Sequence, residues 1–200
     1  SEGKPYEASV GFDNAGSRAT GQERVTAKLT LNNPLKIGDA VGVQTMHSQG
    51  SDYHRLNYSV PVGSDGWRLG VNTSSMKYKL VTEEYEGLNA RGPSKSNGAD
   101  LTIPLIRNRD QSTSLQLSYD KKSFLNEANN TKISDYKANT VTAYLENVVV
   151  NAERTRETAV SAQWVNGNVN LENSPNHDQD QATTQTAGHF NKVKLAASFK

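Results

Sequence analysis

The sequence predicts an all-β fold, an antiparallel meander of about ten strands, on two observations. Apolar and polar residues alternate almost without a break from residue 9 to residue 78, and the alternation returns at residues 113–121 and 190–199. Period two puts one set of side chains on each face of a strand. No stretch between these segments carries a credible amphipathic helix. One face of the alternation is apolar throughout. The opposite face carries Arg24, Lys28, Arg55, Asn57 and Arg68, too much charge for a dry core without partners, so it meets water.

A first strand is expected at about residues 6–13, where Val10 and Phe12 alternate with Ser9, Gly11 and Asp13, and it ends in the turn residues Asn14-Ala15-Gly16-Ser17. A second, at 23–32, stops at Asn33-Pro34, because proline cannot donate to a ladder. A short connection, Leu35-Lys36-Ile37-Gly38-Asp39, leads to a third at 40–46, which closes at Ser48-Gln49-Gly50-Ser51. The fourth and fifth, at 53–62 and 67–79, form a hairpin across Gly63-Ser64-Asp65-Gly66, residues that tolerate positive φ. The polar region 81–97 reads as a longer loop before a sixth strand at 98–106. Arg107-Asn108-Arg109-Asp110 turns that strand into a seventh at 113–121. A second polar loop at 126–134 precedes the eighth, at 136–149. The ninth, at 158–166 with a paired piece near 168–172, leads to Pro175-Asn176-His177-Asp178-Gln179-Asp180-Gln181, a segment too polar to bury anything. The last strand, at 190–199, sets Val193, Leu195, Ala197 and Phe199 against Lys192, Lys194, Ala196 and Ser198.

Two hundred residues suffice for one domain, and the composition gives no sign of a second. A hydrophobic share of 34% with 22% charged residues is polar for a globular protein, yet too regularly patterned for disorder. The formal charge is +1. With no basic stripe interleaved with aromatics, this argues against a nucleic-acid partner. The absence of cysteine removes disulfides and thiolate zinc sites and is compatible with an oxidising envelope compartment. Ser1 does not open a signal peptide, and no apolar run approaches the roughly 20 residues of a membrane helix. A membrane role would have to come from strands.

Two architectures fit this pattern. A soluble sandwich turns apolar faces inward and polar faces outward. A transmembrane barrel inverts the arrangement, with apolar residues on lipid and polar ones lining a wet interior. Periodicity does not choose between them. Several stretches reach about ten residues, the length that spans a bilayer, whereas globular strands run nearer five or six. Tyr6, Tyr53, Trp67, Tyr78, Tyr119, Tyr136 and Trp164 stand near strand ends, where an interfacial girdle would place them. Both observations favour the barrel.

An ordered set of residues adds to this reading: Asp13-Asn14-Ala15-Gly16-Ser17-Arg18-Ala19-Thr20-Gly21, then Leu31-Asn32-Asn33-Pro34-Leu35-Lys36-Ile37-Gly38-Asp39, then Tyr58-Ser59-Val60-Pro61-Val62-Gly63 with Gly66-Trp67 and Tyr78. Ile103-Pro104-Leu105-Ile106-Arg107, Tyr119-Asp120-Lys121-Lys122 and Gly188-His189-Phe190-Asn191-Lys192 follow in order. Together they resemble the barrel of the two-partner-secretion outer-membrane transporters, the TpsB proteins of the haemolysin secretion and activation family, over nearly the whole chain. The resemblance implies an Omp85-like barrel of sixteen strands, of which residues 1–200 would be about the first ten in a single barrel-domain segment. It also implies two periplasmic POTRA domains outside this chain that capture an unfolded exoprotein, a TpsA-type partner. The setting implied is the outer membrane of a Gram-negative bacterium, with a monomeric barrel surrounded by lipid. The family's Val-Arg-Gly-Tyr/Phe motif is not found here, nor is the plug helix, so its best-known functional residues have no counterpart in this sequence. A ten-stranded segment alone would leave two unpaired edges in lipid.

No enzyme chemistry or cofactor emerges. His47, His54, His177 and His189 show no metal-binding pair at helical spacing. His177-Asp178-Gln179-Asp180 offers oxygen ligands without an EF-hand spacing, and a solvated loop is the plainer reading. There is no Gly-x-Ser-x-Gly elbow, and the glycines at 16 and 21 lack a phosphate-loop lysine. What remains is the polar face. Arg24, Lys28, Arg55, Asn57, Arg68, Asp100, Gln116 and Asp120 are expected to line a pore, keeping it hydrated and preventing an extended substrate from sticking; in a plain sheet they would be its solvated face. The rival expectations are a complete small barrel acting as an adhesin or surface protease, and a soluble carbohydrate-binding sandwich. The first lacks the expected final aromatic, since the sequence closes Phe199-Lys200.

Overall fold

The computed structural model describes residues 4–151, 153 and 156–200. Its strands are β1 (Tyr6–Asp13), β2 (Arg24–Asn32), β3 (Ala40–Ser48), β4 (Ser51–Val62), β5 (Trp67–Lys79), β6 (Arg91–Arg107), β7 (Gln111–Ala128), β8 (Thr131–Val150), β9 (Glu157–Asn170) and β10 (Gly188–Phe199). Two short helices, α1 (Glu83–Glu86) and α2 (His177–Ala182), sit in the β5–β6 and β9–β10 connections. All ten strands join one antiparallel sheet in chain order, so every strand pairs with its neighbours in sequence, as a meander must.

The packing is inside-out. Leu69, Val71, Leu117, Val141 and Leu145 are 40–50% exposed, and Leu171, outside the strands, is the one buried hydrophobic residue among those described. Along β5 the burial alternates with the opposite sign to a soluble strand: Leu69 and Val71 are exposed while Arg68 and Asn72 are half-buried. A sandwich would cover such an apolar face with a second sheet. Here one continuous apolar band faces outward, far larger than the few hundred Å² that soluble proteins leave exposed, and it has the character of a lipid-facing surface.

Both stretches expected as long polar loops prove to be partly strand. Residues 91–97 form the start of β6, and 126–134 form the tip of a β7–β8 hairpin that turns at Asn129-Asn130 with φ of 49° and 61°. Two successive positive φ values make the tight primed turn that matches strand twist. The alternation disappears there because both faces are polar, while the ladder continues. At 17, 18 and 20 residues, β6, β7 and β8 are about 55–65 Å long at roughly 3.3 Å per residue. Tilted by about 40°, they stand well above an apolar band of about 25 Å. The polar segment 175–181 differs from expectation too: it contains α2, and Asp180 within it is 5% exposed.

Connections sort by end. One end carries the long loops 14–23, 80–90 and 171–187 together with the tall hairpin; the other carries the short links 33–39, 63–66 and 108–110. The expected 63–66 turn is present, with Gly63 and Gly66 at φ of 69° and 77°.

Candidate functional site: the polar wall

Directly paired residues on adjacent antiparallel strands point to the same side, so the register assigns faces without ambiguity. Arg24 stands opposite Asp13 and Ser48, and Lys28 opposite Ser9 and Gln44. Gln44 faces Arg55, which faces Ser74; Asn57 lies between Gly42 and Asn72. Arg68 pairs with Pro61 and Thr102, and Thr102 with Gln116. Asp100 lies between Gly70 and Ser118, and Asp120 between Gly98 and Thr140. All eight residues singled out from sequence therefore share one face, opposite the apolar band.

Several of their side chains lie along the wall. Arg24 ion-pairs with Asp13, Nη2 to Oδ1 at 2.7 Å, while its Nε donates to the same oxygen at 2.8 Å. Arg68 reaches toward the short-link end, donating from Nη2 to Ser59 Oγ at 2.9 Å and from Nη1 to the Gly38 carbonyl at 3.1 Å. Gln116 Nε2 donates to Asp100 Oδ2 at 3.4 Å. Glycines make this flatness possible. A Cβ added at Gly70 would stand 2.6 Å from Asp100 Oδ1, and one at Gly42 or Gly98 would collide with the side chains of Asn57 and Asp120 respectively. The glycine gaps are filled by carboxylates and amides leaning sideways.

The charges are unevenly placed. Arg24, Lys28, Arg55 and Arg68 occupy β2–β5, whereas Asp100, Asp120 and Glu146 occupy β6–β8. Glu146, Lys122, Lys192 and Lys194 belong to the same face and were not among the sequence candidates; counting every second residue from Gln116 along β7 finds Lys122, whereas Glu146, Lys192 and Lys194 are placed only by the strand register. The wall is not uniformly polar either. One cross-strand row reads Met46, Tyr53, Met76, Ser94, Phe124 and Tyr136, and the last two rings stack at 4.8 Å. Tyr53, Tyr78 and Tyr136 thus leave the expected outward girdle, which keeps Tyr6, Trp67, Tyr119 and Trp164. Tyr78 donates instead to Asn126 Oδ1 at 2.7 Å, and Asn126 to Ser134 Oγ at 2.6 Å.

The long-loop end is tied down. Ser48 Oγ and the Gly50 amide both donate to the Thr20 carbonyl at 2.8 Å, and the Val81 amide donates to Ala19 at 2.9 Å. In the β9–β10 loop, Asp180 accepts from Thr184 Oγ1 at 2.7 Å and from the Ala187 amide at 3.1 Å. The hydroxyls of Thr184 and Thr186, with the Ala187 and Thr186 amides, outweigh burial and lower its pKa to about 2. Ser174 Oγ accepts from the Asp135 amide at 2.8 Å, fastening the loop to β8. Among the described residues no group of His, Cys, Asp and Glu is placed to hold a metal, and no helix is long and apolar enough to cross a membrane.

Comparison with known proteins bears on this wall. The family described as Haemolysin secretion/activation protein ShlB/FhaC/HecB matches residues 1–200. The Heme/hemopexin transporter protein HuxB of Haemophilus influenzae is 24% identical over 192 residues, covering 94% of this chain and 34% of its own length. The Outer membrane transporter CdiB of Dickeya dadantii is 24% identical over 119 residues, 56% of this chain and 21% of its own. Among solved structures, CdiB from Escherichia coli superposes with a TM-score of 0.79 at 21% identity over 99% of this chain and 38% of that one. CdiB from Acinetobacter baumannii gives 0.67 at 13% identity, over 95% and 40%. The chain spans about a third or less of the curated relatives it matches.

Proposed function

This chain belongs to the haemolysin secretion/activation protein family, ShlB/FhaC/HecB, and on that premise we propose that its ten strands form part of a pore exporting a large partner protein. Its fold is the antiparallel wall of an outer-membrane β-barrel, and its place is the outer membrane of a Gram-negative bacterium. The observation that carries the export reading is the inside-out sheet: exposed leucines and valines on one face, a hydrated wall of charges and amides on the other.

Export of this kind needs no covalent step. An exoprotein of the two-partner type enters unfolded from the periplasm, moves extended along the polar wall and folds outside. Arg24, Lys28, Arg55, Asn57, Arg68, Asp100, Gln116 and Asp120 line that path, and the sideways hydrogen bonds of Arg24, Arg68, Gln116 and Asp100 leave those groups less free to hold a passing chain. Mixed charge keeps the conduit wet, because a charged surface in water is costly to strip. POTRA domains and further barrel strands outside these residues complete the transporter, since open sheet edges cannot face lipid. The barrel works as a monomer in outer-membrane lipid.

The absence of cysteine from the chain supplies the test. In the full-length protein, cysteines at Arg55, Asn57 and Asp120 should react with a membrane-impermeant thiol reagent, and cysteines at Leu69 and Val141 should not. A stalled exoprotein should protect the first group alone. Labelling of the leucine and valine positions, or undiminished secretion when the gene is deleted, would remove the proposal.

A further inference from the structure

The largest cluster of one charge sign away from the polar wall stands on the outward face. Lys77 on β5, Lys95 on β6, Lys121 on β7 and Lys137 on β8 are all exposed and share the outward parity of Leu69, Leu101, Leu117 and Leu145. The register sets them as diagonal neighbours. Lys77 is opposite Pro93, two residues from Lys95; Lys95 is opposite Ser123, two from Lys121; Lys121 is opposite Asn139, two from Lys137. Diagonal residues on one face stand roughly 7–8 Å apart. Four flexible ammonium groups can therefore converge on one anion a few ångströms across.

Among the described residues none of the four lysines forms an ion pair. Asp52, opposite Lys77, is held by His47 Nδ1 at 2.6 Å, and Asp135, two residues from Lys137 on the same face, is held by Lys132 Nζ at 2.8 Å. The residues between them on the same face, Ser75, Asn97, Ser123 and Asn139, are neutral hydrogen-bonding groups. Like charges gathered on one sheet face repel, so the cluster is stabilised only by an anion from outside.

Its height identifies where that anion lies. Lys121 is the next outward residue after Tyr119, and Lys95 and Lys137 stand two outward positions beyond Ala99 and Val141. Each outward position advances about 6.7 Å along a strand. With a tilt of about 40°, the backbone of these three lysines sits roughly 5–10 Å above the apolar band, at headgroup level, and that of Lys77, three outward positions beyond Val71, about 15 Å above it, from where its stem can bend toward the membrane surface. The cluster is at the long-loop end, which in such barrels is the outer side. At the opposite end the outward strand positions hold Leu31, Val41, Val62, Trp67, Val149 and Phe199, with no lysine or arginine among them.

We infer that Lys77, Lys95, Lys121 and Lys137 form a docking site for the phosphate groups of an anionic glycolipid in the outer leaflet. Phosphate supplies the missing negative charge. The interleaved asparagines and serines, and the polar strands rising above them, suit a sugar headgroup that projects from the membrane rather than a flat phospholipid surface. The site rests on the barrel reading, which sets the outward face and the height.

The test uses the full-length protein in uncharged detergent, with the midpoint of its heat-dependent shift in gel migration as readout. The probes are bisphosphorylated lipid A, fully dephosphorylated lipid A and inorganic phosphate. Bisphosphorylated lipid A should raise the midpoint, with the effect weakening in salt, while the other two probes leave it unchanged. The triple variant Lys95→Gln, Lys121→Gln, Lys137→Gln should keep its midpoint without lipid and bind the bisphosphorylated form roughly a hundredfold more weakly; arginine at the same positions should restore binding. Lys121→Gln alone serves where the triple variant does not refold. An equal shift with dephosphorylated lipid, or full binding by the glutamine variants, overturns the site. A shift with inorganic phosphate makes it a free-anion site and overturns the lipid assignment. A protein with no heat-dependent migration under any condition would overturn the barrel reading instead, a separate failure.

Discussion

Gly70 shows how one missing atom shapes the wall. Its absent Cβ leaves the space into which Asp100 leans, 2.6 Å from where that atom would be. Gly70→Ala should push the carboxylate off the wall and toward the lumen, at a cost of about 1 kcal/mol of overpacking that a flexible side-chain end mostly relieves. The channel in planar bilayers should then favour cations over anions more strongly, and the double variant Gly70→Ala, Asp100→Asn should reverse the change. An unaltered reversal potential would place Asp100 away from the conduit. Asp180 makes a second prediction at this scale. Its folded pKa, about 2, lies below the ordinary 3.8, so the loop gains stability from the ionised carboxylate above pH 3.8 and loses it as the pH falls through 2. An acid-active protease should spare the β9–β10 loop at pH 4 and cut it near pH 2, whereas Asp180→Asn should be cut at both. Nothing in the sequence pointed to this knot. A run of Asp, Gln and Thr reads as solvated, and only the folded loop brings Thr184 Oγ1 and the Ala187 amide onto one carboxylate.

At the scale of elements, hydrophobic alternation located strands where they cross the apolar band and failed where both of their faces turn polar. The bounds of β1, β5 and β10 fell within two residues of the sequence expectation because some alternation runs through each, in β5 carried past Val71 by Met76 and Tyr78 on the opposite face. β6 and β8 were truncated because Arg91-Gly92-Pro93-Ser94-Lys95-Ser96-Asn97 and the segment near Lys132 are polar on both faces, and period two cannot register there. The signal that could have found the hairpin was Asn129-Asn130, since asparagine accepts the left-handed conformation more readily than other residues with side chains. Asn130→Val should cost about 1–2 kcal/mol in urea unfolding from lipid vesicles, because a β-branched residue is strained at φ of 61°. Asn130→Gly should be neutral or stabilising. Equal midpoints for valine and glycine would mean that the tip carries no such turn.

For the whole molecule, the sequence left a choice between inward and outward apolar faces that no local pattern could make. What decided it was exposure: Leu69, Val71 and Leu145 are uncovered once all ten strands are in place. The eight residues expected on the polar face share it, while Lys122, Glu146, Lys192 and Lys194 on the same face went unnoticed. The gathering of the wall's arginines on β2–β5 and of Asp100, Asp120 and Glu146 beside Lys122 on β6–β8 was not legible, because it appears only when strands are laid side by side. The sheet order also carries a prediction. β1 pairs only with β2 and β10 only with β9 among the described residues, so each outer edge presents a row of backbone N–H and C=O groups without a ladder partner. In hydrocarbon each such group costs several kcal/mol, a total far above the 5–15 kcal/mol that holds a typical domain together. The 200-residue chain refolded alone into vesicles should therefore give neither a heat-dependent migration shift nor protection from protease. The full-length protein should give both. Should the chain alone insert as a heat-modifiable monomer, its own edges must pair with each other, and a self-contained ten-stranded barrel would replace the exporter as the reading of the fold.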